Sequence, residues 1–220
     1  MESELCILLY HGVTAGQSEG IENYSRKHML VEDFRSQMEF VAEHCHLISM
    51  DDVAEHCCTG KAFAPRSLAV TFDDAFENVF TTAFPVLREL CIPFTFYLST
   101  SFIDSEKMFW VDIIEDCINR AQCDEIDLLD MELSLGLGSR AERIRACERV
   151  KAFCKSADIK SKDAVLGALI EQTGVTPSVL VGSNYRKVRW TQLRAMLQSV
   201  RASRSGRTHP HPQHHVSDER

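Results

Sequence analysis

A chain of 220 residues and 24.9 kDa, 45% apolar and 25% charged, is long enough for one substantial hydrophobic core or two small ones, which excludes a disordered or fibrous protein. Its 32 acidic against 24 basic residues leave a net charge of −8, so the overall balance gives no electrostatic case for nucleic acid or an anionic membrane as partner. The nine cysteines are odd in number and scattered through apparent helices and strands, as reduced thiols in a cytosol would be. The opening MESELCILLYHGV begins with acids, and its apolar run is too short for a signal peptide or a transmembrane segment, so the sequence reads as cytoplasmic.

In chain order, Leu5 to Tyr10 is a continuous apolar run bounded by turn chemistry, which predicts a strand buried on both faces. From Val31 to Cys45, Phe34, Met38, Val41 and Cys45 recur at helical spacing with acids and polar residues between them. His46 to Met50 is a short strand candidate, with Asp51 placed to cap a helix running to about Cys58. Ser67 to Phe72 is the next apolar strand. Between Glu77 and Leu90, Pro85 predicts a break or a second helix start, and Phe94 to Leu98 is a further strand. This alternation implies parallel pairing in a wound α/β sheet or barrel, with the site at the carboxyl ends of the strands, where His11 and Asp73-Asp74 fall.

Beyond Asp104 the character changes. Trp110 to Ala121 reads as a helix, Met131 to Leu137 alternates as a half-buried strand should, and Ser139 to Ser156 and Ser161 to Gln172 read as two more helices. A helix from Trp190 to about Val200 follows. The last twenty residues lose hydrophobic periodicity and hold four of the nine histidines, which predicts either disorder or a site without its supporting strand.

Two adjacent carboxylates at the end of a hydrophobic strand can divide their roles, one binding a divalent metal while the other takes a proton. The alternative is that one of them caps the helix that follows. His44-Cys45-His46 with His56-Cys57-Cys58 offers metal-ligating residue types without the paired C-x₂-C spacing of a structural zinc site. Phe94, Phe96, Phe109 and Trp110 are candidates for stacking on sugar rings, or for the core.

The sequence resembles the polysaccharide deacetylases of carbohydrate esterase family 4, including the chitooligosaccharide deacetylases, through LLYHGV at 8–13, AVTFDDAF at 69–76, FPVLRELCIPFTFYLSTSFI at 84–103, MFWVDIIE at 108–115 and WTQLRAM at 190–196. Ala75 stands where the family's TFDDG has glycine. The resemblance implies a distorted (β/α) barrel, here incomplete and with an inserted helical subdomain: 1–104 as the N-terminal part of the barrel, 105–187 as the insertion, 188–200 as the resumed barrel helix and 201–220 as an irregular His-rich tail. It further implies a divalent metal, zinc, and removal of N-acetyl groups from an amino-sugar polysaccharide or glycan precursor, with Asp73 as general base, Asp74 and His209 as metal ligands and His11 in the substrate pocket.

The family's H-[ST]-x-x-H motif is not complete. With His209 as its second histidine, Ser205 holds the first histidine's place; with His211, Arg207 does. His211, His214 or His215 is the alternative source of a ligand. The family's later motifs, including the histidine that resembles the general acid, have no counterpart before Arg220, which predicts a C-terminally truncated member. The second reading is accordingly a catalytically inactive deacetylase-like protein that binds glycan or a partner enzyme.

Overall fold

The structure is a computed structural model that describes residues 5–128, 133–180, 184–205 and 215–219. In chain order it comprises β1 (Leu5–Tyr10), β2 (Gly12–Thr14), β3 (His28–Leu30), α1 (Val31–His44), β4 (His46–Leu47), α2 (Met50–Thr59), β5 (Ser67–Phe72), a π-helical turn (Val79–Ala83), α3 (Phe84–Glu89), β6 (Phe94–Ser99), α4 (Trp110–Arg120), β7 (Glu125–Leu128), β8 (Leu133–Gly136), α5 (Arg140–Ser156), α6 (Ile159–Thr173), α7 (Trp190–Ser205) and β9 (His215–Glu219). The chain divides into two compact units: residues 1–17, 26–105 and 186–220 form the first, and 18–25 with 106–185 the second.

The first unit is α/β. Its sheet runs β1-β5-β6-β9, with β4 also on β5, and every pair is parallel. β5 is buried at all six positions, as an apolar strand between two neighbours must be. The core gathers on it: Phe72 meets Tyr10, Phe34, Phe94 and Phe96 at ring separations of 5.4 to 6.4 Å, in tilted or edge-to-face geometry. Phe94 and Phe96 are therefore core residues and not a sugar platform. α1 turns Phe34, Met38 and Val41 onto this core, the stripe that its spacing predicts. Pro85 sits in the first turn of α3, where its missing N–H costs nothing, and the π-helical turn ahead of it absorbs the break.

Three features depart from the sequence reading. β1 lies at the end of the strand order, and one of its faces stays open: Ile7 and Leu9, on the same face, are 45% and 54% exposed, and the strand is not buried on both faces. The cap of α2 is Ser49, not Asp51, because Ser49 and Asp52 form a reciprocal capping box that starts the helix earlier. The tail is not wholly irregular: α7 continues to Ser205, and residues 215–219 pair with the otherwise open edge of β6, where backbone hydrogen bonds need no apolar periodicity. The described sheet has separate edges, and closure into a barrel is not seen.

The second unit packs α4, α5 and α6 with the antiparallel β7–β8 hairpin around Ile114, Ile118, Cys147, Val150 and Leu169. The 159 start of α6 follows from Asp158, whose carboxylate accepts from the Ser161 N–H as N-cap. α4 also buries three acids, Asp112, Glu115 and Asp116. Asp116 is held by Arg120 through two bonds of 2.8 and 2.7 Å, and Glu115 by Lys151 at 3.1 Å. Glu115 and Asp116 survive burial because each of these two carboxylates has its cation.

Candidate active site

The register of β1 on β5 ends at Tyr10 and Phe72, and the Asp73 N–H extends it by donating to the Tyr10 carbonyl at 3.0 Å. His11 and Asp73 thus leave the sheet side by side at its carboxyl end. Asp74 and Ala75 then both take left-handed backbone, with φ of 70° and 56°. Asp tolerates this conformation, but alanine carries a cost of about 1–2 kcal/mol in it. The turn is held by a strap from residues 186–188: the Val188 N–H donates to the Ala75 carbonyl at 2.8 Å, the Glu77 N–H donates to the Arg186 carbonyl at 2.9 Å, and Phe76 bridges to Lys187.

This turn brings Asp74 to His11. Oδ2 of Asp74 stands 4.0 Å from Nε2 of His11, with the two side chains 34% and 39% exposed, so both face solvent at the sheet's carboxyl end. Asp73 is half-buried beside them. The π-helical turn Val79–Ala83 follows with Asn78 before it and no side-chain cap at that point.

Beneath the turn lies a polar layer that the sequence reading does not contain. His28 opens β3 at 2% exposure, and its Nδ1 accepts from the amide of Asn78 at 2.9 Å. Its ring meets Phe76 edge-on at 4.7 Å, and Phe76 also lies under the ammonium groups of Lys187 at 3.5 Å and Lys27 at 4.6 Å. Burial first, then the nearby Lys27, Lys187 and His11, push the His28 imidazole down to about 2. His28 is therefore a neutral supporting group and not a proton carrier. The one local signal for this layer is Gly12: a side chain there would collide with His28 and Asn78.

His209, His211 and His214 lie outside the described residues, and His215 begins β9 with its backbone in register with Thr95. Ser205 is the last residue of α7. Among the described residues no group of three or more His, Cys, Asp or Glu is placed to hold a metal ion. Asp74 and His11 nevertheless supply the oxygen and imidazole nitrogen that a borderline divalent cation accepts. Two bonds of about 2.1 Å at a tetrahedral angle span about 3.4 Å, so the pair would have to close by roughly half an ångström. The residues present fit such an ion as a partial donor set. In the His/Cys cluster, the imidazoles instead stack on Phe40 (His44, 4.4 Å) and Phe63 (His56, 4.8 Å).

Comparison with known proteins places the match on this part of the chain. Residues 60–128 match the family model described as polysaccharide deacetylase. The chain is 29% identical over 110 residues to the poly-beta-1,6-N-acetyl-D-glucosamine N-deacetylase of Staphylococcus epidermidis, covering 50% of this chain and 35% of that protein. It is 29% identical over 98 residues to the enzyme of the same name from Staphylococcus aureus, covering 44% and 32%. The match thus spans about a third of these relatives' length. Among solved structures, IcaB from Ammonifex degensii is similar at 23% identity and a TM-score of 0.41 over 50% of this chain and 47% of that one. The Streptococcus pyogenes deacetylase PplD in complex with acetate is similar at 13% identity and a TM-score of 0.40 over 90% and 99%.

Proposed function

We infer that this chain, related to the polysaccharide deacetylases through the segment that carries Asp73 and Asp74, is part of a hydrolase that removes N-acetyl groups from an amino-sugar polymer. The observation that carries this reading is the pair of carboxylates leaving β5 beside His11, inside the segment that matches the family. Asp73 is the general base, which accepts the proton of the attacking water. Asp74 and His209 are the residues that would hold a divalent ion, zinc in this reading, and His11, at the pocket 4.0 Å from Asp74, is placed to add a nitrogen donor. The ion, when bound, would supply Lewis-acid activation. The turn at 74–75, strapped by residues 186–188, fixes where the Asp74 carboxylate points, and the neutral His28 layer supports it without competing for the proton.

A second reading, a catalytically inactive member that binds glycan, is favoured by one observation: the first histidine's place is held by Ser205, at the end of a helix. Acetate release from an N-acetylglucosamine oligomer, with zinc added, separates the two. On the first reading Asp73→Asn lowers release by about 10²–10⁴-fold, the usual worth of one general base. Oligomer binding with no release, in wild type and variant alike, would establish the second. Calorimetric zinc titration should find weak binding that Asp74→Ala abolishes, and tight binding untouched by Asp74→Ala would overturn the site.

A further inference from the structure

At the end of the first unit's sheet opposite Asp73, a cavity of about 810 Å³ opens between α2 and the loop at 61–64. Ser67, the first residue of β5, lines it, so it lies a strand's length, about 20 Å, from the paired acids. Its volume is within the range of small-molecule sites. Two features define its chemistry. The first is a flat aromatic surface, the ring of Phe63 stacked on the imidazole of His56 at 4.8 Å and 19°. The second is its charge: Asp51, Asp52 and Glu55 line it against the single ammonium of Lys61.

Asp52 holds its charge more firmly than an ordinary carboxyl. Burial works against its charge, but Oδ2 accepts from the Ser49 N–H at 2.8 Å and from the Ser49 hydroxyl at 2.6 Å, and His56 and His46 add to this, so the carboxyl is held below its ordinary range. A ligand that covers these acids gains most from a cation, because charge-assisted hydrogen bonds to carboxylates are about twice as strong as the neutral O–H or N–H bonds an uncharged ligand would return. A ligand that uses the Phe63–His56 surface must bring a flat apolar face. A protonated amino sugar has both in one ring, an ammonium group at its edge and a C–H face for the aromatic pair. Its N-acetylated form has the face without the charge.

We propose that this cavity binds the free-amine form of the amino-sugar polymer, the product of N-deacetylation, as a site separate from the one that holds Asp73 and Asp74. The choice of an amino sugar rests on the deacetylase reading, whereas the preference for a cation rests on the cavity alone.

The test uses the full chain without turnover. A glucosamine tetramer with free amines and its fully N-acetylated counterpart are titrated by calorimetry against wild type, Phe63→Ala, the pair Asp51→Asn with Glu55→Gln, and Asp74→Asn. The free-amine tetramer should bind at least tenfold tighter than the acetylated one. Phe63→Ala and the double variant should each weaken it at least fivefold, Phe63→Tyr should restore it, and Asp74→Asn should leave it unchanged. Equal binding of both tetramers, binding lost in Asp74→Asn, or binding untouched in the two cavity variants would each overturn the proposal. Because no acetate is measured, loss of this binding with acetate release intact removes the cavity site and leaves the deacetylase reading standing, and the converse result does the reverse.

Discussion

The side-chain amide of Asn78 donates to Nδ1 of His28 across 2.9 Å, and both side chains occupy the space where a Cβ on Gly12 would begin. Gly12→Ala must therefore push apart two residues that are 2% and 6% exposed. Overpacking costs about 1–3 kcal/mol, and a broken buried hydrogen bond adds about 1–3 kcal/mol, so a loss of about 2–6 kcal/mol is expected in urea denaturation. A variant within 0.5 kcal/mol of wild type would mean that the two side chains separate freely, an outcome well below the ~1 kcal/mol floor of either effect.

The same histidine makes stability depend on pH. In the fold it stays neutral down to about 2, whereas in the unfolded chain it titrates at the ordinary 6.5. Between those values the unfolded chain binds a proton that the folded chain does not. Stability from this group is thus complete above pH 6.5 and falls as the pH drops below it, by up to about 1.4 kcal/mol per pH unit. His28→Gln, which keeps a polar partner for Asn78, should flatten the slope of stability below the ordinary titration point by about that amount. Equal slopes in the two proteins would show that His28 takes up its proton in the folded state.

What was legible in the sequence was what repeats or what breaks a pattern. Phe34, Met38 and Val41 fall on one face of α1 because only one side of that helix meets the core. Asp73 and Asp74 stood out because acids end an apolar run. The support beneath them was not legible: His28 and Asn78 are fifty residues apart, and β2 and β3 are three residues each, too short to show a period of two. The strap that binds Ala75 and Glu77 comes from Arg186 and Val188, more than a hundred residues away, through backbone groups that carry no side-chain signal. The open face of β1 was misread for a related reason. Burial of a strand's face depends on what packs over it, and a run of apolar residues does not say whether both faces are covered.

Ala75 tests how firmly that strap holds. With φ at 56° and full burial, Ala75→Gly gains relief of left-handed strain, about 1–2 kcal/mol, and loses a buried methyl and backbone entropy of similar size. The net effect should stay within about 1 kcal/mol of wild type. Ala75→Val combines a β-branched residue at positive φ with no room for it, and should lose about 2–4 kcal/mol in thermal or urea unfolding. Equal stabilities for the glycine and valine variants would show that the turn does not hold Ala75 in this conformation.

In the second unit the Glu115–Lys151 pair offers a clean charge test, because its carboxylate is only 7% exposed and keeps other donors when the cation is removed. The Asn23 N–H donates to Oε1 at 2.8 Å and the Tyr185 hydroxyl at 3.3 Å, while Lys151 contacts Oε2 at 3.1 Å and lies 5.0 Å over the Tyr24 ring. Breaking a buried pair from one side costs about 3–5 kcal/mol, since a charge is left without its partner. The two remaining neutral donors offset part of that, so Lys151→Met should lose about 2–4 kcal/mol, with hydrogen exchange rising first at the amides of α4 and α5. Adding Glu115→Gln to Lys151→Met removes the stranded charge and keeps an acceptor for Asn23 and Tyr185, so the double variant should be more stable than Lys151→Met alone. A double variant that is less stable by the full sum of the two single losses would show that Glu115 and Lys151 do not act as a pair.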